Sequence, residues 1–289
     1  MKRFITAGLA GLGTLMASAV ALAEQPHEWG IGLQAARSPI KVEMEHFHTE
    51  LLWIISAIVL LVMGLLAFVM VRFRASRNPV PSKVTHNTLL EICWTGIPVL
   101  ILVVIAIPSL KLLYLQDKQP DADMTIKVTG HQWYWSYEYA DAAAGGAEGG
   151  FGFDSYLIPD NEIDPAKGQI RLLSVDNQVV IPADTKVRFV ITGADVIHSW
   201  AIPSLGIKMD AVPGRLNEAW TYVPAKYIGE TFYGQCSEIC GINHGFMPIA
   251  VRAVSKEDYA KWLEEAKSKF ASAAPSEAPG IGAVAQLAP

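Results

Sequence analysis

The sequence predicts a membrane-anchored α+β chain: a two-helix transmembrane hairpin followed by a β-sandwich or barrel. Three observations carry this. Two long runs contain no charge, several short alternating segments fill residues 120–255, and a loop near the end of that region collects soft metal-ligand residue types. The chain has 289 residues, 51% of them hydrophobic, and its mean hydropathy is positive. That length allows one or two domains beside the membrane segments.

Residues 1–23 open with Lys2 and Arg3, continue through an apolar stretch and end in Ala21-Leu22-Ala23. This pattern predicts a cleaved signal peptide; a third membrane helix is the alternative. Cleavage takes the formal charge from −5 to −7. Residues 24–48 are polar with Gly and Pro and read as an irregular lead. Leu51 to Val71 is 21 residues without a charge, and Ile92 to Leu110 is 19 more. About 20 apolar residues span a bilayer, so helices are placed at 49–71 and 91–115. Pro98 and Pro108 are tolerable kinks in such a helix.

The intervening loop, 72–90, holds Arg72, Arg74, Arg77 and Lys83 and no acid. The positive-inside bias puts it in the cytoplasm and both mature termini in the periplasm of a bacterial inner membrane protein. Residues 120–255 follow as the exported domain. Thr125 to Val128 alternates, and Trp133, Trp135, Tyr137 and Tyr139 recur at period two. Arg171 to Val175, Lys186 to Thr192, Ala219 to Val223 and Ile249 to Val254 read as further strands. Ala140 to Gly152 reads as a flexible Gly-rich insertion. Residues 256–270 form a charged amphipathic helix opening at Ser255, and 271–289 an Ala/Pro-rich disordered tail. Residues 120–289 carry 21 acids against 13 bases. That balance favours basic partners and disfavours nucleic acid.

The chemistry concentrates in GQCSEICGINHGFM at 234–247. Cys236 and Cys240 are four apart, His244 is four further on and Met247 three beyond that, with Glu238 between the cysteines. Soft sulfur with imidazole suits copper, and a weak thioether marks copper electron-transfer sites. Two cysteines exceed what one such ion needs. Two bridging sulfurs could hold two copper ions, each with one imidazole, if His198 supplies the second. A disulfide and a zinc site remain the alternatives on spacing alone. Cys93 lies in an apolar run and reads as inert.

The motifs extend across the chain: Arg72-Phe73, Thr85-His86-Asn87 with Glu91 and Trp94, GHQWYWSYEY at 130–139, DVIHSW at 195–200, KMDAVPGR at 208–215 and the cysteine loop. In this order they closely resemble subunit II of the cytochrome c oxidases. The resemblance implies a cupredoxin-like β-sandwich or barrel holding a dinuclear copper A centre. Cys236 and Cys240 would bridge two coppers, His198 and His244 would each bind one, and Met247 and the Glu238 carbonyl would be weak ligands. It further implies a magnesium (or manganese) ion on the Glu238 carboxylate at the boundary with subunit I, and no haem in this chain. Trp133 would be the exposed indole that receives electrons from cytochrome c. Glu138, Asp154, Asp176 and Asp195 would dock the donor's basic face, and Glu91 would stand at the mouth of a proton path. The implied complex contains subunit I and further oxidase subunits in membrane lipid, reduces O2 to water and pumps protons. AVPGR, at 211–215, would contact subunit I.

Two other classes fit parts of the chain. A membrane-anchored copper chaperone or thiol oxidoreductase also uses Cys-x-x-x-Cys with a distant His, but needs a βαβ pattern and no Met in the loop. A quinol oxidase subunit II shares the architecture and lacks the copper ligands, all of which are present here.

Overall fold

The computed structural model describes residues 30–80, 82–139 and 150–270. The expected signal peptide and C-terminal tail lie outside these residues, as do residues 140–149 of the expected insertion. Two long helices come first. Helix α1 spans Pro39–Arg72 and α2 spans Thr88–Asp117. Ser38 caps α1 by accepting from the Lys41 N–H, and Pro39 occupies its first turn, where no N–H is needed. Asn87 caps α2 in the same way, with Glu91 in the first turn where a carboxylate suits the helix dipole. Both helices are long and apolar enough to cross a membrane. Their apolar side chains, such as Trp53 and Leu60 in α1 and Leu102 in α2, are left exposed by the rest of the chain.

The helix starts earlier than the sequence suggested. Residues 39–48 are helical, not irregular, because Ser38 supplies a cap and Pro39 a first-turn residue with its φ already set for helix. This early turn is also anchored to the domain that follows the helices. Ser38 Oγ donates to the Leu205 carbonyl at 2.6 Å, and the Arg37 N–H donates to the Ser204 carbonyl. Arg37 pairs with Glu230 at 2.7 Å and lies over the Tyr227 ring. At the far end of α2, the Trp220 indole donates to the Leu115 carbonyl at 3.2 Å.

Among the described residues, ten strands make two five-stranded sheets. They are β1 Met124–His131, β2 Tyr134–Tyr139, β3 Phe151–Ser155, β4 Val179–Pro182, β5 Lys186–Gly193, β6 His198–Ile202, β7 Ile207–Ala211, β8 Asn217–Tyr222, β9 Thr231–Cys236 and β10 Pro248–Val254. The first sheet runs β3-β2-β1-β5-β8 and the second β4-β10-β9-β6-β7. Pairing is antiparallel except for β1 with β5 and β4 with β10. This is a cupredoxin-like sandwich. Its core lies between the sheets and holds Trp135, Tyr137, Phe189, Trp200 and Phe232. The Trp200 indole donates to the Tyr137 hydroxyl at 3.2 Å, so the largest buried rings also satisfy each other's polar atoms. Helix α3, Lys256–Phe270, is capped by Ser255 and lays Trp262 and Phe270 over Tyr139, Phe151 and Phe153.

Three strand expectations are corrected. Trp133 does not belong to the alternating strand; His131 pairs with Tyr134, so Gln132 and Trp133 form the hairpin turn. Arg171 to Val175 is a turn with Leu172 at φ 65, and only Val175 makes a bridge, to Leu157. Residues 151–152 of the expected insertion are strand, because Phe151 and Phe153 enter the core.

Candidate metal centre

Strand β9 ends at Cys236, and the chain then loops back to β10 through residues 237–247. Strand β6 starts at His198 and runs beside β9, with Trp200 opposite Cys236. The strands can lie this close because Gly234 faces the Ala201 carbonyl, where a Cβ would collide with it. The Ser237 N–H then donates to the Ser199 carbonyl at 2.9 Å, which sets the path of the loop away from β6.

The side chains converge at one end of the sandwich. The Cys236 and Cys240 sulfurs are 3.9 Å apart, far beyond a disulfide bond, and both cysteines are free. His198 Nδ1 is 3.9 Å from Cys236 Sγ, and His244 Nδ1 is 3.5 Å from Cys240 Sγ. Met247 Sδ lies 3.6 Å from Cys240 Sγ, while the Glu238 carbonyl oxygen lies 3.4 Å from Cys236 Sγ. The ligand atoms of His198, Cys236 and Cys240 all fall within 4.8 Å of one another. His198, both cysteines and Met247 are buried; His244 is half-buried. The arrangement is symmetrical in type: each sulfur has one imidazole nitrogen and one weak donor beside it.

Neighbouring groups hold these donors in place. The Trp135 indole donates to the Met247 carbonyl at 3.1 Å. Gly130 lies under His198, where an added Cβ would come within 2.9 Å of the ring. Asp195 Oδ1 is 2.9 Å from His198 Nε2. A carboxylate at that nitrogen keeps the proton on Nε2 and leaves the Nδ1 lone pair facing the sulfurs, as a metal-binding histidine requires. Burial opposes charge on His198, but the Cys236 sulfur and Asp195 outweigh it and raise its pKa. The two thiols shift in opposite directions. Burial works against ionising Cys236, yet hydrogen bonds from His198, backbone groups and His244 lower its pKa. Cys240 is raised by its own burial and then by the neighbouring Cys236 charge. The donor set of two sulfurs, two imidazoles, a thioether and a carbonyl is suited to a soft metal.

Trp133 sits against this loop. Its indole N–H donates to the Cys240 carbonyl at 3.2 Å, and Gly241, at φ 122, leaves room for its ring. The ring is partly exposed and packs against the core. Among the acids, Asp195 is tied to His198 and to the Gln132 N–H, and Glu138 pairs with Lys127 at 2.7 Å. Asp154 accepts from Ser136 at 2.6 Å and Asp176 from the Tyr156 N–H at 2.8 Å; both remain exposed. Glu91 is exposed at the start of α2, at the opposite end of the helix from the sandwich. Sequence reasoning missed the supporting roles of Asp195, Gln132 and Trp135. The Asp-x-x-His spacing at 195–198 was the one available signal.

Comparison with known proteins agrees along the chain. Residues 26–112 match the family model for the cytochrome c oxidase subunit II transmembrane domain, and residues 124–254 match that for its periplasmic domain. The first match covers both apolar helices, so the chain is a two-pass membrane protein. A probable cytochrome c oxidase subunit 2 of Rickettsia bellii (strain RML369-C) is 52% identical over 272 residues, covering 94% of this chain and 95% of the relative. The mitochondrial cytochrome c oxidase subunit 2 of Vigna unguiculata is 47% identical over 246 residues, covering 85% of this chain and 64% of the relative. The crystal structure of the periplasmic domain of subunit II of cytochrome oxidase (CoxB) of Bradyrhizobium japonicum is 49% identical. It covers 53% of this chain and 99% of that one, with a TM-score of 0.46. With its helix pair, its sandwich and its relatives matched from one end to the other, this chain belongs to the cytochrome c oxidase subunit II family.

Proposed function

We propose that this chain is the electron-accepting subunit of a terminal oxidase that takes electrons from cytochrome c, and that its cysteine loop holds the dinuclear copper A centre. One observation carries the reading: two sulfurs 3.9 Å apart, each with an imidazole Nδ1 within 3.9 Å, in a single pocket. Cys236 and Cys240 would bridge the metals, His198 and His244 would each hold one, and Met247 and the Glu238 carbonyl would be the weak ligands. Copper held there would supply one-electron redox chemistry, by which the chain would hand electrons to haem in subunit I for the reduction of O2 to water and the pumping of protons.

The chain's own residues prepare this. Pairing of β6 with β9 in one sheet fixes His198 and Cys236 relative to each other, which would keep reorganisation small. Trp133 is the ring at which electrons arrive; its contact with the Cys240 carbonyl supports that role. Asp154 and Asp176, with Glu138 and Asp195, give a negative face that would speed association with a basic donor and weaken with salt. Glu238 would also place its carboxylate on a magnesium or manganese ion shared with subunit I, a hard ligand for a hard cation. Glu91 would lie at the cytoplasmic mouth of a proton path, with the basic 72–90 loop inside the cell and the sandwich in the periplasm.

The test is electron paramagnetic resonance of the copper-loaded full chain in detergent. A many-line, narrow hyperfine pattern from one electron on two coppers is expected. A four-line single-copper signal from folded protein overturns the reading and favours a thiol or chaperone role.

A further inference from the structure

Gln132 is exposed, lies in a turn and is neither a candidate ligand nor one of the expected docking residues. Its surroundings are nonetheless specific. Its side-chain Nε2 donates to the Cys240 carbonyl at 2.8 Å, the same oxygen that receives the Trp133 indole N–H. The acceptor is a carbonyl, so the amide must present its NH2 and not its oxygen. Its backbone N–H donates to Asp195 Oδ2 at 2.7 Å, and the other oxygen of that carboxylate holds His198 Nε2. One residue thus links the loop that carries Cys240 to the strand that carries His198. The links join residues 63 and 108 positions apart, so no local segment could hold this geometry by itself.

We infer that Gln132 is a positioning residue of the metal centre, holding the Cys240 peptide by its side chain and, through Asp195, the His198 ring by its main chain. This rests on the copper reading above. The physical consequence is electrostatic as well as geometric. The donated N–H puts the positive end of a dipole beside the peptide of a bridging thiolate. Positive potential there favours the electron-rich, reduced state, so the bond raises the reduction potential. Loss of the bond also loosens the loop between Cys240 and His244, where Gly241 adds little stiffness.

The side-chain link can be cut without touching the main-chain one. Gln132→Leu keeps the bulk and removes the donor; Gln132→Asn keeps the amide but is one methylene short. Both leave the backbone N–H on Asp195. The full chain in detergent is loaded with copper, its stoichiometry measured, and its reduction potential and hyperfine pattern recorded for parent and variants. Both variants are expected to bind two coppers, with a lower potential and an altered hyperfine pattern. Variants whose potential and hyperfine pattern coincide with the parent's overturn the inference, even if their reaction with cytochrome c is slower, because a residue that only touched the donor would behave in that way. A parent without the two-copper pattern overturns the copper reading itself, which separates the two failures.

Discussion

Asp195 Oδ1 lies 2.9 Å from Nε2 of His198, a ring with no exposed surface. The contact decides which imidazole nitrogen is free, and it turns a residue that looked like a surface docking acid into part of the metal site's support. A carboxylate behind a ligating histidine orients the ring and raises its basicity.

Replacing this carboxylate should therefore weaken metal binding and not docking alone. Asp195→Ala is expected to lower copper affinity by roughly 10- to 100-fold. Competition with a copper chelator measures this. Unchanged affinity with slower association of cytochrome c would return Asp195 to a purely surface role.

Strands β6 and β9 bring the two halves of the site together, and Gly234 permits their approach. An alanine there pushes its Cβ into the Ala201 carbonyl. Gly234→Ala is expected to cost about 1–3 kcal/mol, the usual range for overpacking, and to reduce copper binding as well. Thermal unfolding with copper titration checks both. A variant as stable as the parent would mean that the strands separate without penalty.

Glu138 has a structural duty beside any docking role. Its partner, Lys127, is buried, and the pair is 2.7 Å apart. Glu138→Gln leaves that ammonium without its countercharge. The Glu138 side chain is 30% exposed, so water screens part of the loss. A cost of about 1–3 kcal/mol is expected, in the range for a hidden group left unsatisfied. The parent and variant unfolding midpoints decide it; a change in donor kinetics with no change in midpoint would contradict it.

His131 stacks on Tyr134 with ring centroids 4.5 Å apart, and burial lowers its pKa from the usual 6.5. The unfolded chain therefore takes up this proton before the folded one does. The associated stability is full above pH 6.5 and declines as the pH falls from there through the lower folded value. His131→Phe keeps the stacking and removes the titration. The metal-free variant should lose less stability than the metal-free parent between pH 7 and pH 5. Parallel curves for the two proteins would assign the acid sensitivity to other groups.

How much was legible in the sequence differs from one element to the next. The two apolar runs and the helix at 256–270 were legible because their signals are local: lengths of uncharged residues in one case, a Ser cap with early acids in the other. The strands expected at 186, 219 and 249 stood out as short β-prone runs between Pro, Gly and Asp turns, and the structure has strands there. Strands β4, β6 and β9 did not. They are buried on both faces for most of their length, so they show no alternation to read. Trp133 illustrates the opposite error. It keeps the period of Trp135, Tyr137 and Tyr139 but falls in the turn, because the His131–Tyr134 pairing ends the ladder one step earlier.

The sequence by itself determined the membrane hairpin, the β domain after it and most of the candidate ligand set. Cys236, Cys240, His244 and Met247 lie within 12 consecutive residues, so chain connectivity alone keeps them together. Only the tertiary structure decided what completes and supports that set. His198 reaches Cys236 from 38 residues away, and Gln132 reaches Cys240 from 108. The first contact exists because β6 and β9 are neighbours in one sheet, and the second because the two sheets share one core. That registry is set by burying rings such as Trp135 and Trp200, and no local pattern of residues encodes it.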